Sequence, residues 1–115
     1  MTFLRQLKWR IVWSWSGLRH CWAAEHSFRS WVWANLVSAA LALALPLSSG
    51  ERATILMGGV IVLAFECLNT AIEIAVDDIS EERREAARLA KDAGSAGVAL
   101  AAVAVGIAWV VALWP

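Results

Sequence analysis

The sequence predicts an all-α, polytopic membrane protein: an N-terminal amphipathic surface helix followed by three transmembrane helices. Three observations carry this reading. Apolar residues make up 60% of a 115-residue chain and charged residues only 17%. Soluble proteins run at roughly 45–50% and about 25%, and a domain this small keeps too much surface in water to hide the excess. The apolar residues gather in three long runs, and the first quarter is instead a mixture of tryptophans, aliphatics and bases. One membrane domain spanning 1–115 accounts for the length.

The first quarter, about 3–26, mixes Arg5, Lys8, Arg10 and Arg19 with an apolar series: Leu4, Leu7, Ile11, Trp15, Leu18 and Trp22. Spacings of three and four put that series on one helical face. A basic helix with such a face and several tryptophans fits the membrane interface. No small-residue cleavage site follows a clean apolar core, so no cleaved signal peptide is expected. The first span is read over 28–47, ended by Pro46 and the turn residues Ser48, Ser49 and Gly50. The second covers 53–76 and the third 93–114, which carries no charge. A span needs about 20 residues at 1.5 Å rise. Residues 77–92 are read as a cytoplasmic loop whose Glu, Arg and Ala content extends the second helix beyond the membrane.

Bases set the orientation. Nine flank the cytoplasmic side in this reading (five before the first span, four within 77–92), against Arg52 alone between the first and second spans. The N-terminus and the 77–92 segment are therefore cytoplasmic and the C-terminus is outside. The net charge of zero gives no pull on nucleic acid. Cys21 and Cys67 lack metal or scaffold spacing and read as reduced packing residues.

The second span carries the chemistry. Glu66, Asn69, Glu73 and Asp77 fall within roughly an 80° arc of a helix, with Thr70 at its edge. Glu66 lies ~20 Å from the outer face and roughly 10 Å from the inner one. Carboxylates at such depth are costly and functional by default. Asn69 and Thr70 alone would suit helix-to-helix hydrogen bonding. Two glutamates on one face do not, because ionised carboxylates only accept and repel one another. They need a cation between them or protons on them, which points to a metal–phosphate site or a proton path. Glu25, Glu73, Asp77, Lys91 and Asp92 can converge at the cytoplasmic face. Carboxylates with a lysine suit Mg²⁺ and a polyphosphate, and Gly94, Ser95 and Gly97 allow close helix approach. Phosphate-cradling glycine loops and the H-R-D signature are absent.

The run Glu66-Cys67-Leu68-Asn69-Thr70-Ala71-Ile72-Glu73, then Asp77, then Ala90-Lys91-Asp92-Ala93-Gly94-Ser95-Ala96 closely resembles the bacterial integral-membrane diacylglycerol kinase family. Its pattern reads E-x-L-N-[ST]-A-I-E…D…A-K-D-x-[GA]-[SA]-A. Gly17-Leu18-Arg19, Trp22, Glu25 and Phe28-Arg29 match the family's other block, so the resemblance covers about 5–114. It implies a surface helix and three spans per subunit, a homotrimer with shared active sites in the bacterial inner membrane, and transfer of the ATP γ-phosphate to diacylglycerol, giving phosphatidic acid. By position, Glu66 is implied as the general base, with Asn69 catalytic beside it. Glu25 and Glu73 are implied as Mg²⁺-linked carboxylates. Gln6, Trp13, Glu82, Arg83, Arg84, Lys91 and Asp92 complete the implied nucleotide site. Arg19, Trp22, Arg52, Ser95 and Trp109 join Glu66 at the lipid. Gln6 stands where the best-known members have an arginine, Ser16 replaces a lysine, and Asp78 replaces a basic residue. Undecaprenol kinases of the same fold, a small proton-coupled transporter and a structural membrane subunit are the alternatives. Lys91, Asp92 and Glu25 favour the kinase, since a transporter needs no phosphate grip on one side.

Overall fold

The computed structural model describes residues 2–115, and within them the chain is four helices. Helix α1 spans Phe3–Ala24, α2 His26–Ala44, α3 Ser49–Ile79 and α4 Glu85–Leu113. Two of them, α3 with 31 residues and α4 with 29, are long and apolar enough to cross a membrane. Three such helices were expected. The 19 residues of α2 fall short of that standard because they include Arg29, Asn35 and several serines.

Each helix ends for a local reason. The α1 helix stops at Glu25, whose extended backbone breaks it from α2, so the expected 3–26 helix is shorter by the junction residues. Arg29 reaches back from α2 and donates to the Trp22 and Ala23 carbonyls at 2.6 and 3.2 Å, satisfying acceptors that a helix C-terminus leaves free. The α2 helix ends at Ala44 rather than at 47, because the residue before a proline disfavours helical backbone, and Leu45 is extended. A reciprocal capping box opens α3: Ser48 Oγ accepts from the Glu51 N–H and the Glu51 side chain accepts from the Ser48 N–H.

The segment read as a 77–92 loop is corrected. The α3 helix continues to Ile79 and α4 begins at Glu85, leaving 80–84 as the connection. Arg88 explains the second half, since it pairs with Glu85 three residues before and Asp92 four residues after. Such spacings are neighbours only on a helix. The extension of the second helix beyond 76 agrees with the sequence reading.

Helix α3 is the spine. It packs mainly against α4 and α2, and α1 touches α2 and α3 only near its C-terminal end. The buried residues of α3 are Ile55, Gly59, Val62, Glu66 and Thr70, a single stripe at three- and four-residue spacing. Close approach depends on glycines. A Cβ on Gly58 would lie 2.9 Å from Val105 Cγ2, and one on Gly59 would lie 2.7 Å from Asn35 Oδ1. By contrast, Leu4, Leu7, Ile11, Trp15, Leu18 and Trp22 of α1 are all exposed in the single chain.

The α3–α4 seam gives a test. Val105 is β-branched and stiff, so Gly58→Val must separate the helices and is expected to cost about 1–3 kcal/mol. Gly106→Ala meets nothing within 4 Å and is expected to leave stability unchanged or slightly raised. Thermal unfolding midpoints in detergent compare the two.

Candidate functional site

Glu66 is the centre of the polar region. It is only 5% exposed although it lies midway along an apolar helix. Ser27 Oγ, from the first turn of α2, donates to Glu66 Oε2 at 3.3 Å, and Trp31 stands beside the same carboxyl. The Glu25 and Glu73 carboxylates are both within electrostatic reach of it. The structure therefore brings together the three glutamates singled out in the sequence: Glu66 and Glu73 from α3, and Glu25 from the α1–α2 junction. Ser27 was missed, because a lone serine at a helix start reads as a capping residue. Its four-residue spacing to Trp31 was the available signal.

One turn before Glu73, Asn69 donates through Nδ2 to Glu73 Oε1 at 3.3 Å. Asn69 Oδ1 is buried with no hydrogen-bond partner. Gly94 of α4 lies against it so closely that a Cβ there would collide with that oxygen. This is the close α3–α4 approach that the glycines suggested. Among the described residues no three His, Cys, Asp or Glu side chains form a metal cage. That is compatible with Mg²⁺, which is held by one or two carboxylates and completes its shell with water and phosphate oxygens. The oxygen-only donors Glu25 and Glu73 have the right chemistry for a hard cation.

The candidates at the α3–α4 connection form a second group. A cleft of about 500 Å³ between the end of α3 and the start of α4 is lined by Asp77, Glu82, Arg83, Arg84, Arg88 and Lys91, among others. Lys91 Nζ donates to Asp77 Oδ1 at 2.6 Å, tying the two helices together. The Arg84 Nη2 donates to the Val76 and Ser80 carbonyls, both at 3.4 Å, so part of this cation is spent on the end of α3. Arg83 makes no such bond. Asp92 is held by Arg88 at 3.0 Å. The hydrogen bond that Arg88 donates to Glu85 is the main reason that its guanidinium pKa is raised from the ordinary value.

Other expected site residues lie apart. Gln6 and Trp13 are on α1, whose backbone does not approach that of α4 among the described residues. Trp13 stacks on Trp9 with ring centroids 6.4 Å apart. Arg19 and Trp22 share an exposed groove with Trp15, Leu18 and Phe28. Ser95 is exposed on α4. Arg52 lies 14 residues before Glu66, about 21 Å along the helix. Its guanidinium donates to the Ala42 and Leu45 carbonyls at 2.9 and 2.8 Å, closing the end of α2. The Trp109 indole donates to Ser38 Oγ at 2.9 Å, linking α4 to α2. Cys21 and Cys67 are free thiols, and they stand against each other where α1 meets α3.

The Asp77–Lys91 pair is half exposed, with side-chain exposures of 49% and 40%. Asp77→Asn is therefore expected to lower stability by less than about 1 kcal/mol, less still at high salt. Unfolding midpoints at low and high ionic strength read this out.

Residues 12–113 match the family described as prokaryotic diacylglycerol kinase. The chain is 38% identical over 101 residues to the diacylglycerol kinase of Escherichia coli K12, covering 88% of this chain and 83% of that one. It is 36% identical over 108 residues to the diacylglycerol kinase of Pseudomonas aeruginosa, covering 94% and 88%. The diacylglycerol kinase of Haemophilus influenzae is 36% identical over 93 residues, covering 81% and 79%.

Proposed function

Because the chain belongs to the prokaryotic diacylglycerol kinase family, we propose that it is an ATP-dependent lipid kinase of the bacterial inner membrane that converts diacylglycerol to phosphatidic acid. The observation that carries this is the buried Glu66 carboxylate, held in an apolar helix whose far end opens on a cleft containing Arg83 and Lys91. In this reading Glu66 accepts the proton of the lipid hydroxyl. The hydroxyl oxygen bonds to the γ-phosphorus, the bond to the β,γ-bridging oxygen breaks, and ADP leaves. Such transfers depend on positioning and charge neutralisation more than on covalent help.

Glu73 lies seven residues beyond Glu66, roughly 10 Å nearer the water. That order suits a lipid reaching the base from the bilayer and a nucleotide reaching the metal from the cytoplasm. Mg²⁺, held by Glu25 and Glu73, would supply charge neutralisation on the phosphates. Asn69 steadies Glu73 by donating to its carboxylate. Glu82, Arg83, Arg84, Lys91 and Asp92 face the nucleotide, and Lys91 exchanges Asp77 for phosphate when ATP arrives. Arg19, Trp22 and Ser95 border the lipid. Arg52 and Trp109, whose donors are taken by α2, shape the path of its tails.

The topology in this reading is α1 on the cytoplasmic surface, its uncovered apolar face in the interface, and α2, α3 and α4 crossing the bilayer. The N-terminus is cytoplasmic. Gln6 and Trp13 belong to α1, and the Lys91 cleft belongs to α3 and α4. One chain does not bring these together, which supports a homotrimer whose sites combine α1 of one subunit with the α3–α4 cleft of another.

Purified protein in mixed micelles with Mg-ATP is expected to form phosphatidic acid from diacylglycerol, more readily than it phosphorylates undecaprenol. Ion flux in liposomes with no phosphorylated lipid would overturn the kinase reading, and preference for undecaprenol would overturn the substrate. Glu66→Gln is expected to lower turnover ~10²-fold or more, the scale of a lost general base, with the Mg²⁺ requirement unchanged. Glu73→Gln is expected to raise that requirement.

Shared sites have their own test. Trp13→Ala and Glu66→Gln subunits, each inactive alone, are expected to regain part of the activity after mixing. A mixture that stays inactive despite demonstrated subunit exchange would mean that each chain holds a complete site.

A further inference from the structure

Ser27 and Trp31 are four residues apart on α2, so they lie one above the other on its surface. Both meet Glu66. The other ionisable groups facing this carboxyl are Glu25 from the α1–α2 junction and Glu73 and Cys67 from α3, with Cys21 of α1 behind Cys67. No cation is among them. Glu25 and Glu73 are acceptors when ionised, so neither can hold a Glu66 oxygen by hydrogen bonding in that state. Two side-chain donors of α2 face the carboxyl, the Ser27 hydroxyl at 3.3 Å from Oε2 and the Trp31 indole beside it.

A glutamate has three rotatable side-chain bonds. A general base must come within about 2.6–3.2 Å of the proton it takes. A buried carboxyl without a fixed partner would turn through positions from which it cannot reach a lipid hydroxyl. We infer that Ser27 is the positioning residue for Glu66: by donating to Oε2, beside the Trp31 indole, it restrains the carboxyl in the orientation from which it meets the incoming lipid hydroxyl. Ser27 is exposed on its other side and precedes Phe28, which lines the groove shared with Arg19 and Trp22. Its hydroxyl is also the same kind of donor that the lipid presents, so one carboxylate receives two equivalent O–H groups, one fixed and one delivered by substrate.

This inference rests on Glu66 being the base, and the experiment separates the two. Full-length Ser27→Ala, Ser27→Thr, Glu66→Gln and the Ser27→Ala/Glu66→Gln double variant are assayed in mixed micelles with diacylglycerol and Mg-ATP. Ser27→Ala is expected to lower kcat roughly 10-fold, within the 10²-fold that a 1 Å misplacement can cost. KM for both substrates should be unchanged. Ser27→Thr keeps the hydroxyl and is expected to restore most of kcat. In the double variant the serine change is expected to add nothing, because its partner is already gone. A slow Glu66→Gln with fully active Ser27→Ala would overturn the positioning role alone. So would a Ser27 effect that multiplies with the Glu66 effect, appears only in KM, or is not rescued by threonine. A fully active Glu66→Gln would overturn the base and the positioning role together.

Discussion

The structure is organised around the need to cover one carboxylate. Glu66 sits on the same stripe of α3 as Ile55, Gly59, Val62 and Thr70, so the face that binds neighbouring helices also carries an acid. Hydrocarbon offers that acid nothing, and leaving it to face lipid would cost several kcal/mol. The covering element is α2, which approaches closely at Gly59 and brings Ser27 and Trp31 alongside Glu66. On its other side, α3 meets α4 through Gly58, Gly94 and Gly97. Glycines serve here because helices in a membrane gain their contact by close packing rather than by escaping water. The α4 contact at Gly94 fixes Asn69, which in turn holds Glu73. Site geometry and helix packing are one arrangement.

The polar bonds far from Glu66 hold the rest in register. Arg29 closes the end of α1, Arg52 closes the end of α2, and Arg84 reaches the end of α3. In each case a guanidinium donates to carbonyls that a helix terminus leaves unpaired. Trp109 and Ser38 join α4 to α2 although the two backbones do not touch, a reach that only a long side chain provides. These residues look alike in the sequence, as bases and a tryptophan near apolar runs, yet their donors are used inside the chain.

That difference marks how much could be read in advance. The helical class, the spine from 53 to 76 and the polar arc were legible, because apolar length and 3.6-residue periodicity are properties of a single segment. The sequence reading set Glu25 with Glu73, Asp77, Lys91 and Asp92, while the nearness of Glu25 to Glu66 needed the α1–α2 junction placed against α3. The partners of Arg52 and Trp109 were not legible, because each depends on another helix and neither repeats a spacing within its own, whereas Ser27 left only its four-residue spacing to Trp31 as a signal. The size of the 77–92 loop was misread for another reason. Charge density there resembles a solvated loop, but Glu85, Arg88 and Asp92 are spaced three and four apart, which is the pattern of an exposed helix face. The adjacency of Cys21 and Cys67 similarly required α1 to fold back against α3.

The length of α3 bears on how such a site works without a glycine loop for phosphate. The helix runs 13 residues beyond Glu66 to Ile79, and Glu73 and Asp77 follow on the same face at seven- and four-residue steps. One rigid element thus carries a carboxylate midway along an apolar helix, a second about two turns further on, and a third in ion pair with Lys91 near its end. In the kinase reading, a loop that wraps phosphates is replaced by a rod that sets the distance between a lipid-level base and a water-level cation site. The rod cannot close over the nucleotide by itself. The uncovered α1, with its stacked Trp9 and Trp13 and a backbone that among the described residues stays apart from α4, is the element left over to do so. A second copy of the spine is what the geometry lacks, which makes oligomerisation part of the catalytic arrangement proposed for this chain.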